Sequence, residues 1–578
     1  MAGPTAPKDP EKARPFFYIL KDKDIFGERQ KDGTGIQFIY ESDGRLINSA
    51  QITGNVTDKE ELTLLETVEG FGRLVHSIGV SVETDRPEET AEFVFQMYGK
   101  KDLYGGGTNL TTSLKCDGME HRIYLSDYRW TEDDHVPGQI KILFAAPERM
   151  GKVSVRLFLN DGYEAPPEEE DLVIDMHSEE YCGMISRSLL QLGNPYRIRK
   201  AIEKSKAGKE VTLAYIGGSI TQGAGAIPIH TECYAYKSFQ LFQNRFSTQN
   251  NVRFIKAGVG GTPSELGMIR FDRDVLREGE RPDIVVIEFA VNDEGDETKG
   301  VCYESLVRKV LKLPWKPAVV LLFSVFANDW NLQERLRPVG DLYDLPMVSI
   351  LNAVTPQFSL KCGEGRILSK NQFFYDIFHP NNTGHTIMAD CLQYLFERCD
   401  AAEPARVGTF VEGMTEEQIL SEKLSGPAVI GADFERIFLL DKKNRYVGAK
   451  IRAGSFTSTD IELQSVEMDG NLTQTPEFPY NWMYDGSRPQ MPGFEMEITC
   501  KSLFLIFKDS GEMDVGKADV FVNDVYCMTA DPHKNNWLHC NAVLLFWETE
   551  SRSHKVRITV TEEDRNKKFT ILGFGYTI

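Results

Sequence analysis

What this chain lacks narrows it first. Its ten cysteines, at positions 116, 182, 233, 302, 362, 391, 399, 500, 527 and 540, include no CxxC pair and no Cys/His spacing of a zinc site. That argues against a zinc module or a disulfide framework. The thiols read as reduced, mostly buried small hydrophobes, which fits a cytosolic compartment. No stretch approaches the ~20 uninterrupted apolar residues that a bilayer-crossing helix needs, so no membrane anchor is expected. The opening MAGPTAPKDPEKARPFF is polar and proline-containing and has no apolar segment of the secretory type, so the expectation is a cytoplasmic protein. Basic stripes are missing too. A formal charge of −21 repels phosphate backbones and anionic lipid, which argues against nucleic acid as a partner and leaves neutral substrates compatible. Nor is there a low-complexity tract or the short-period repeat of a solenoid.

What is present divides into three stretches. At 578 residues the chain exceeds what one hydrophobic core supports, and several domain-sized units are expected. From about Phe16 to Asp175, runs such as IQFIYES, AEFVFQMYG, HRIYLSDYRW, QIKILFAA and KVSVRLFLND alternate apolar with polar residues between Gly, Asp and Asn. This pattern predicts an antiparallel, jelly-roll-like β-sandwich over residues 1–195. The acidic APPEEEDL at 165–172 reads as a loop or an arm crossing to the next unit.

Over residues 196–402 the pattern becomes α/β. VTLAYIGG, VRFIKAG, DIVVIEFA, AVVLLFSVF and PMVSI are short, strongly apolar and bounded by Gly or Pro, as parallel strands buried on both faces are. KSFQLFQNRF, SELGMIRFDRDVL and TIMADCLQYLFERC carry apolar residues at helical spacing and predict helices covering a five-stranded parallel sheet. Over 403–578, ERIFLLD, YVGAKIRA, IELQSVEMDG, SLFLIFKD, KADVFVNDVY, AVLLFWE and HKVRITVTE predict a second β-sandwich.

Three segments of the α/β stretch lie where such a sheet places function, at the carboxyl ends of its strands, and a fourth stands just before the last helix of the unit. GGSITQG leaves strand VTLAYI directly, so Ser219 sits on a sharp strand-to-helix turn flanked by glycines that admit a close substrate. KAGVGGTPS follows VRFI, and EFAVND ends DIVVI. A backbone N–H of the glycine pair and the side-chain amide of Asn292 can both point at a negative oxygen developing above Ser219. DIFHPNNTGH supplies His379 as general base and, three residues earlier, Asp376 to hold its tautomer. Each segment alone also reads as an ordinary turn or cap; their common order along one unit matches a single acyl-transfer mechanism.

That order resembles the SGNH (GDSL-type) hydrolases over about 200 of the 578 residues. Gly217, Gly218 and Ser219 match block I, Gly261 block II, Asn292 and Asp293 block III, and Asp376 and His379 block V. Gly218 stands where the GDS form has Asp, a variant found among carbohydrate-directed members. The resemblance implies a flavodoxin-like order of the parallel sheet, a catalytic triad of Ser219, Asp376 and His379, and an oxyanion hole of Ser219, Gly261 and Asn292, with Gly260 the neighbouring choice. No His/Asp cluster has ligand spacing, which disfavours a metal-dependent deacetylase, and no cofactor and no metal are expected.

The longer run GGSITQGAGA, ECYAY, AGVGGTPSELG and EFAVND resembles bacterial SGNH proteins with flanking β-sandwiches, many of them carbohydrate esterases. This implies removal of O-acetyl groups from plant-type oligosaccharides such as xylan, mannan or xyloglucan fragments. His230, Glu232, Tyr234, Asp293, Glu294 and Trp330 are candidates to shape the pocket, Trp330 by stacking on a sugar or as a half-buried anchor. The alternatives are an esterase, lipase or thioesterase acting on non-carbohydrate acyl groups, and a glycan-binding protein on an inert α/β unit. The sandwiches are candidates for binding glycan, covering the site or building a homo-oligomer.

Overall fold

In a computed structural model, the described residues are 12–40, 44–101, 105–277, 279–402, 414–467, 474–488, 490 and 492–578. MAGPTAPKDPE, the ends of IQFIYES and IELQSVEMDG, and the boundary expected at residue 403 lie outside them.

The amino-terminal unit stacks two antiparallel sheets. Four strands, including β1 (Phe16–Phe26), form one, and five form the other. Inward-facing Val80, Val82, Phe93, Phe95, Ile140, Ile142, Val153 and Val155 close the space between them, as the period-two pattern requires. The strand pattern does not show three short helices inserted between the sheets' strands: α1 (Arg45–Thr53), Lys59–Leu64 capped by Asp58, and Val68–Leu74 capped by Thr67. The acidic arm then crosses to the central unit. Glu169 pairs with Arg366, and Asp171 accepts from Asn371 Nδ2 at 3.1 Å.

The central sheet contains β2 (Leu189–Gln191), β3 (Val211–Gly217), β4 (Val252–Gly258), β5 (Ile284–Glu288), β6 (Ala318–Phe323) and β7 (Met347–Ser349). It has six strands where five were expected. The spatial order is β4-β3-β5-β6-β7-β2, all parallel except β2, which runs antiparallel along β7. Because β2 and the helix before it, Glu179–Ser186, pack with this sheet, the unit begins upstream of the expected boundary at 196. A strand of three half-buried residues offers too short a run to be told from a loop.

Both faces of the sheet are covered, which is why its strands are continuously apolar. Leu213 and Tyr215 of β3 pack on one face with α3 (Tyr234–Phe246) and α6 (Asn382–Ala401). Ala214 and Ile216 pack on the other with α4 (Ser264–Phe271) and α5 (Val301–Leu311).

The carboxyl-terminal unit is one eight-stranded antiparallel sheet plus a two-stranded ribbon, and the sheet bends on itself so that its two arms enclose a common core, Phe494 of one stacking on Phe574 of the other at 5.6 Å. Two long strands, β8 (Phe494–Asp509) and β9 (His539–Val560), carry it round a bend marked by register shifts near Cys500 and Leu503. Leu503, Leu505 and Phe507 face the unit's own core. Phe504 and Ile506 point the other way and pack with Ile269 and Phe271 of the central unit. At ~1.5–3 kcal/mol per buried side chain of this size, such contacts weld the two units together.

Candidate active site

The order of β4, β3 and β5 puts a topological switch point at the carboxyl end of β3, where an open α/β sheet leaves a crevice. Ser219 opens a one-turn helix, α2 (Ser219–Gln222), directly after β3. Neither preceding glycine admits a side chain. A Cβ on Gly217 would stand 2.2 Å from Thr221 Oγ1, and one on Gly218 would stand 2.2 Å from Asn292 Oδ1. The glycines of GGS are therefore set by close approach, and what approaches Gly218 is the Asn292 carboxamide.

Three of the predicted side chains form one hydrogen-bonded line. His379 Nε2 lies 2.9 Å from Ser219 Oγ, and His379 Nδ1 lies 2.9 Å from Asp376 Oδ2. The other carboxylate oxygen, Oδ1, accepts the backbone N–H groups of Phe378 at 2.8 Å and His379 at 2.9 Å. Burial pushes the Asp376 carboxyl up, but the facing imidazole, its hydrogen bond, the charge of Arg45 and the Phe378 N–H outweigh this and hold it at about 2. It is thus an anion at neutral pH, able to orient the ring and to stabilise an imidazolium.

The rest of DIFHPNNTGH ties this loop to the loop that follows Ser219. Asn382 donates to the Ile227 carbonyl and accepts its N–H, both at 2.7 Å. His385, fully buried, accepts the Tyr234 N–H at Nδ1 and stands 3.1 Å from the Ala224 carbonyl at Nε2. Burial drives its pKa down to about 3, so the ring is neutral with its proton on Nε2. Asn382 and His385 were legible only as parts of a turn.

Gly261, in the left-handed region at φ +68°, sits on the turn after β4, and its carbonyl accepts from His539 Nε2 at 2.9 Å. The neighbouring Gly260 is buried, and its carbonyl accepts from Gln464 Nε2 at 2.9 Å. Both donors come from the carboxyl-terminal unit, which also places Trp537, 44% exposed, against Gly261. Burial lowers the His539 pKa, and Asn535 Nδ2 lies 3.2 Å from its Nδ1, so Nε2 is the donor to Gly261. Nothing in the local sequence signalled Gln464, Trp537 or His539, because their relation to the site is purely tertiary.

The six pocket candidates fall in different settings. Asp293 is fully buried, and its Oδ1 accepts the Ser264 N–H at 2.7 Å, so it braces the start of α4 and cannot meet a substrate. Tyr234 is likewise buried, its hydroxyl 2.8 Å from Thr221 Oγ1 in the one-turn helix that Ser219 opens. Glu232 pairs with Lys237 at 2.6 Å. Glu294 is exposed, and His230 is half-buried in the loop that follows Gly225. Trp330 is half-buried and stacks on Phe326 at 5.8 Å; Phe326 meets Phe378 at 5.1 Å, and Phe378 meets His379 at 6.1 Å. The exposed ring nearest the imidazole in this row is therefore Phe378 and not Trp330.

The profile of the GDSL-like lipase/acylhydrolase family matches residues 215–387. No curated protein matches the chain. Among solved structures, a two-domain esterase active on acetylated mannans is 23% identical, with a TM-score of 0.54 and coverage of 68% of this chain and 98% of that one. The same esterase co-crystallised with mannopentaose is 24% identical, with a TM-score of 0.53 and the same coverage. These likenesses concern the fold. Among the described residues no helix is long and apolar enough to cross a membrane. The residues that match the GDSL-like lipase/acylhydrolase model include Ser219, Gly261, Asn292, Asp376 and His379, so the likeness to that family lies in the central unit.

Proposed function

We propose that the protein is a serine esterase that removes O-acetyl groups from carbohydrates through an acetyl-enzyme on Ser219. The observation that carries this reading is the hydrogen-bonded line Ser219–His379–Asp376 beside the Asn292 amide and the Gly261 turn. Ser219 Oγ attacks the acetyl carbonyl while His379 Nε2 takes its proton. The oxyanion lies among the Ser219 and Gly261 N–H groups and Asn292, donors worth about 3–4 kcal/mol each in the transition state. His379 then protonates the departing sugar hydroxyl. Water, deprotonated by the same nitrogen, attacks the acetyl-enzyme, and acetate leaves.

The carbohydrate assignment draws support from two exposed aromatics, Phe378 beside His379 and Trp537 beside Gly261. It draws further support from the activity of the similar two-domain esterase on acetylated mannans. A flavodoxin-like central domain is part of the same reading, and the strand order β4-β3-β5-β6-β7 supports it.

A deacetylation panel on acetylated mannan, xylan and xyloglucan oligosaccharides, with an acyl-length series of p-nitrophenyl esters beside it, tests the proposal. Acetate release from an oligosaccharide, with rejection of chains beyond about four carbons, is the expected result. Preference for long acyl chains or thioesters, with no acetate from any glycan, would replace the substrate class.

A further inference from the structure

The loop that carries Asp376 and His379 hangs from the amino-terminal unit. β1 is interrupted at Asp22, a non-glycine residue at φ +52°, where its pairing register shifts between Leu20 and Lys23. Asp22 is held in that kink by Ser154 Oγ, which accepts its N–H at 2.9 Å. Bulges of this kind re-aim a side chain, and here the side chain is Lys23. Only 3% exposed, Lys23 sends its ammonium out of the first unit to the carbonyl of Phe374, with the Asn371 carbonyl 3.4 Å away. Phe374 lies two residues before Asp376.

Other contacts converge on the same few residues. Thr53, at the end of α1, meets Asn371 Oδ1 at 3.4 Å, and Asn371 Nδ2 donates to the Lys21 carbonyl at 3.4 Å. Tyr375 packs its ring against the core of the amino-terminal unit, while its N–H closes the loop on the His379 carbonyl at 2.8 Å. Arg45, the first residue of α1, is close enough for its charge to act on the Asp376 carboxyl. A buried ammonium bonded to main-chain carbonyls fixes backbone position more strongly than a neutral donor would, because the hydrogen bond is charged.

We infer that the amino-terminal unit is a positioning element of the active site, with Lys23 anchoring the loop that presents His379 to Ser219 and Arg45 supporting the orienting carboxylate. The inference rests on the reading of Ser219, His379 and Asp376 as an esterase triad. It assigns the first unit a role in the chemical step and not in substrate capture.

The test is made in the full-length protein. Lys23→Met should lower kcat at least ~10-fold, toward the ~100-fold that a 1 Å misplacement costs, with KM for p-nitrophenyl acetate unchanged. Arg45→Gln, at a half-buried position, should lower kcat roughly 2- to 5-fold. Both should broaden or shift the far-downfield proton resonance of the His379–Asp376 hydrogen bond, which a merely structural role would leave alone.

Wild-type kcat and an unchanged resonance in both variants would overturn the inference. Should Lys23→Met not fold, Arg45→Gln decides alone by the same two readouts. A Ser219→Ala control separates the two levels of the argument. Hydrolysis surviving in Ser219→Ala removes the esterase reading itself. An inactive Ser219→Ala beside unaffected Lys23 and Arg45 variants removes only the positioning role.

Discussion

His379 Nε2 stands 2.9 Å from Ser219 Oγ although 160 residues separate the two in the chain. That distance is a ground-state hydrogen bond in the direction a proton must travel when the hydroxyl becomes a nucleophile. The orienting residue follows from it. Asp376→Asn should lower kcat by about 10⁴-fold, because an amide donating to Nδ1 stabilises the wrong tautomer. Steady-state kinetics beside a melting curve checks this: kcat falls while the melting temperature stays close to the wild-type value.

Asn292 and Gly218 form a second linked pair. Asn292→Ala should reduce kcat by ~10²–10³-fold, the cost of one oxyanion donor, with KM little changed. Gly218→Ala leaves the amide in place chemically but puts a methyl group where Asn292 Oδ1 now lies. It should therefore reproduce most of the Asn292→Ala loss, and a Gly218→Ala enzyme with wild-type kcat would show that the Asn292 contact is irrelevant to rate.

The buried acids Asp293 and Glu265 make stability depend on pH. Burial raises Asp293 to about 8 and Glu265 to about 7, so the folded state holds protons that the unfolded chain has released above about pH 4. Stability from these groups is full at low pH and is lost as pH rises through 7 and 8, since there the unfolded state binds fewer protons than the native one. Melting temperature between pH 5 and 9 should fall in the wild type and fall less in Asp293→Asn. A steeper fall in the variant would contradict the assignment.

The carboxyl-terminal unit should affect glycan substrates more than small ones. Trp537→Ala is expected to raise KM for acetylated oligosaccharides several-fold and to leave p-nitrophenyl acetate unchanged, a stacked aromatic being worth ~0.5–1.5 kcal/mol. His539→Phe removes the donor to the Gly261 carbonyl and should lower kcat on both substrates. Parallel kinetics on the two substrate types separates these effects.

GGS, AGVGG and AVND were legible because each leaves an apolar strand run, and DIFH because it stands just before a long apolar-periodic helix; Ser219, His379 and Asp376 meet as that order implied. Asp293 misled because an acid beside a site-forming asparagine reads as exposed, whereas its carboxyl braces α4 in the interior. Trp537, His539, Gln464 and Lys23 carried no local signal at all. Their relation to the site arises from domain packing hundreds of residues away, and no periodicity records it. In the last unit the alternating runs showed strands facing a common core, but not that two of those strands, β8 and β9, run on through the bend from one arm to the other.

The central claim, an acetyl group carried on Ser219, is tested most directly by acid-quenching the enzyme during turnover of acetylated mannan oligosaccharide and sequencing its peptides by mass spectrometry. The account predicts one acetyl group on the peptide containing Ser219, absent from Ser219→Ala. Rapid acetate release by an enzyme that never carries acyl at Ser219, with Ser219→Ala still active, would contradict it.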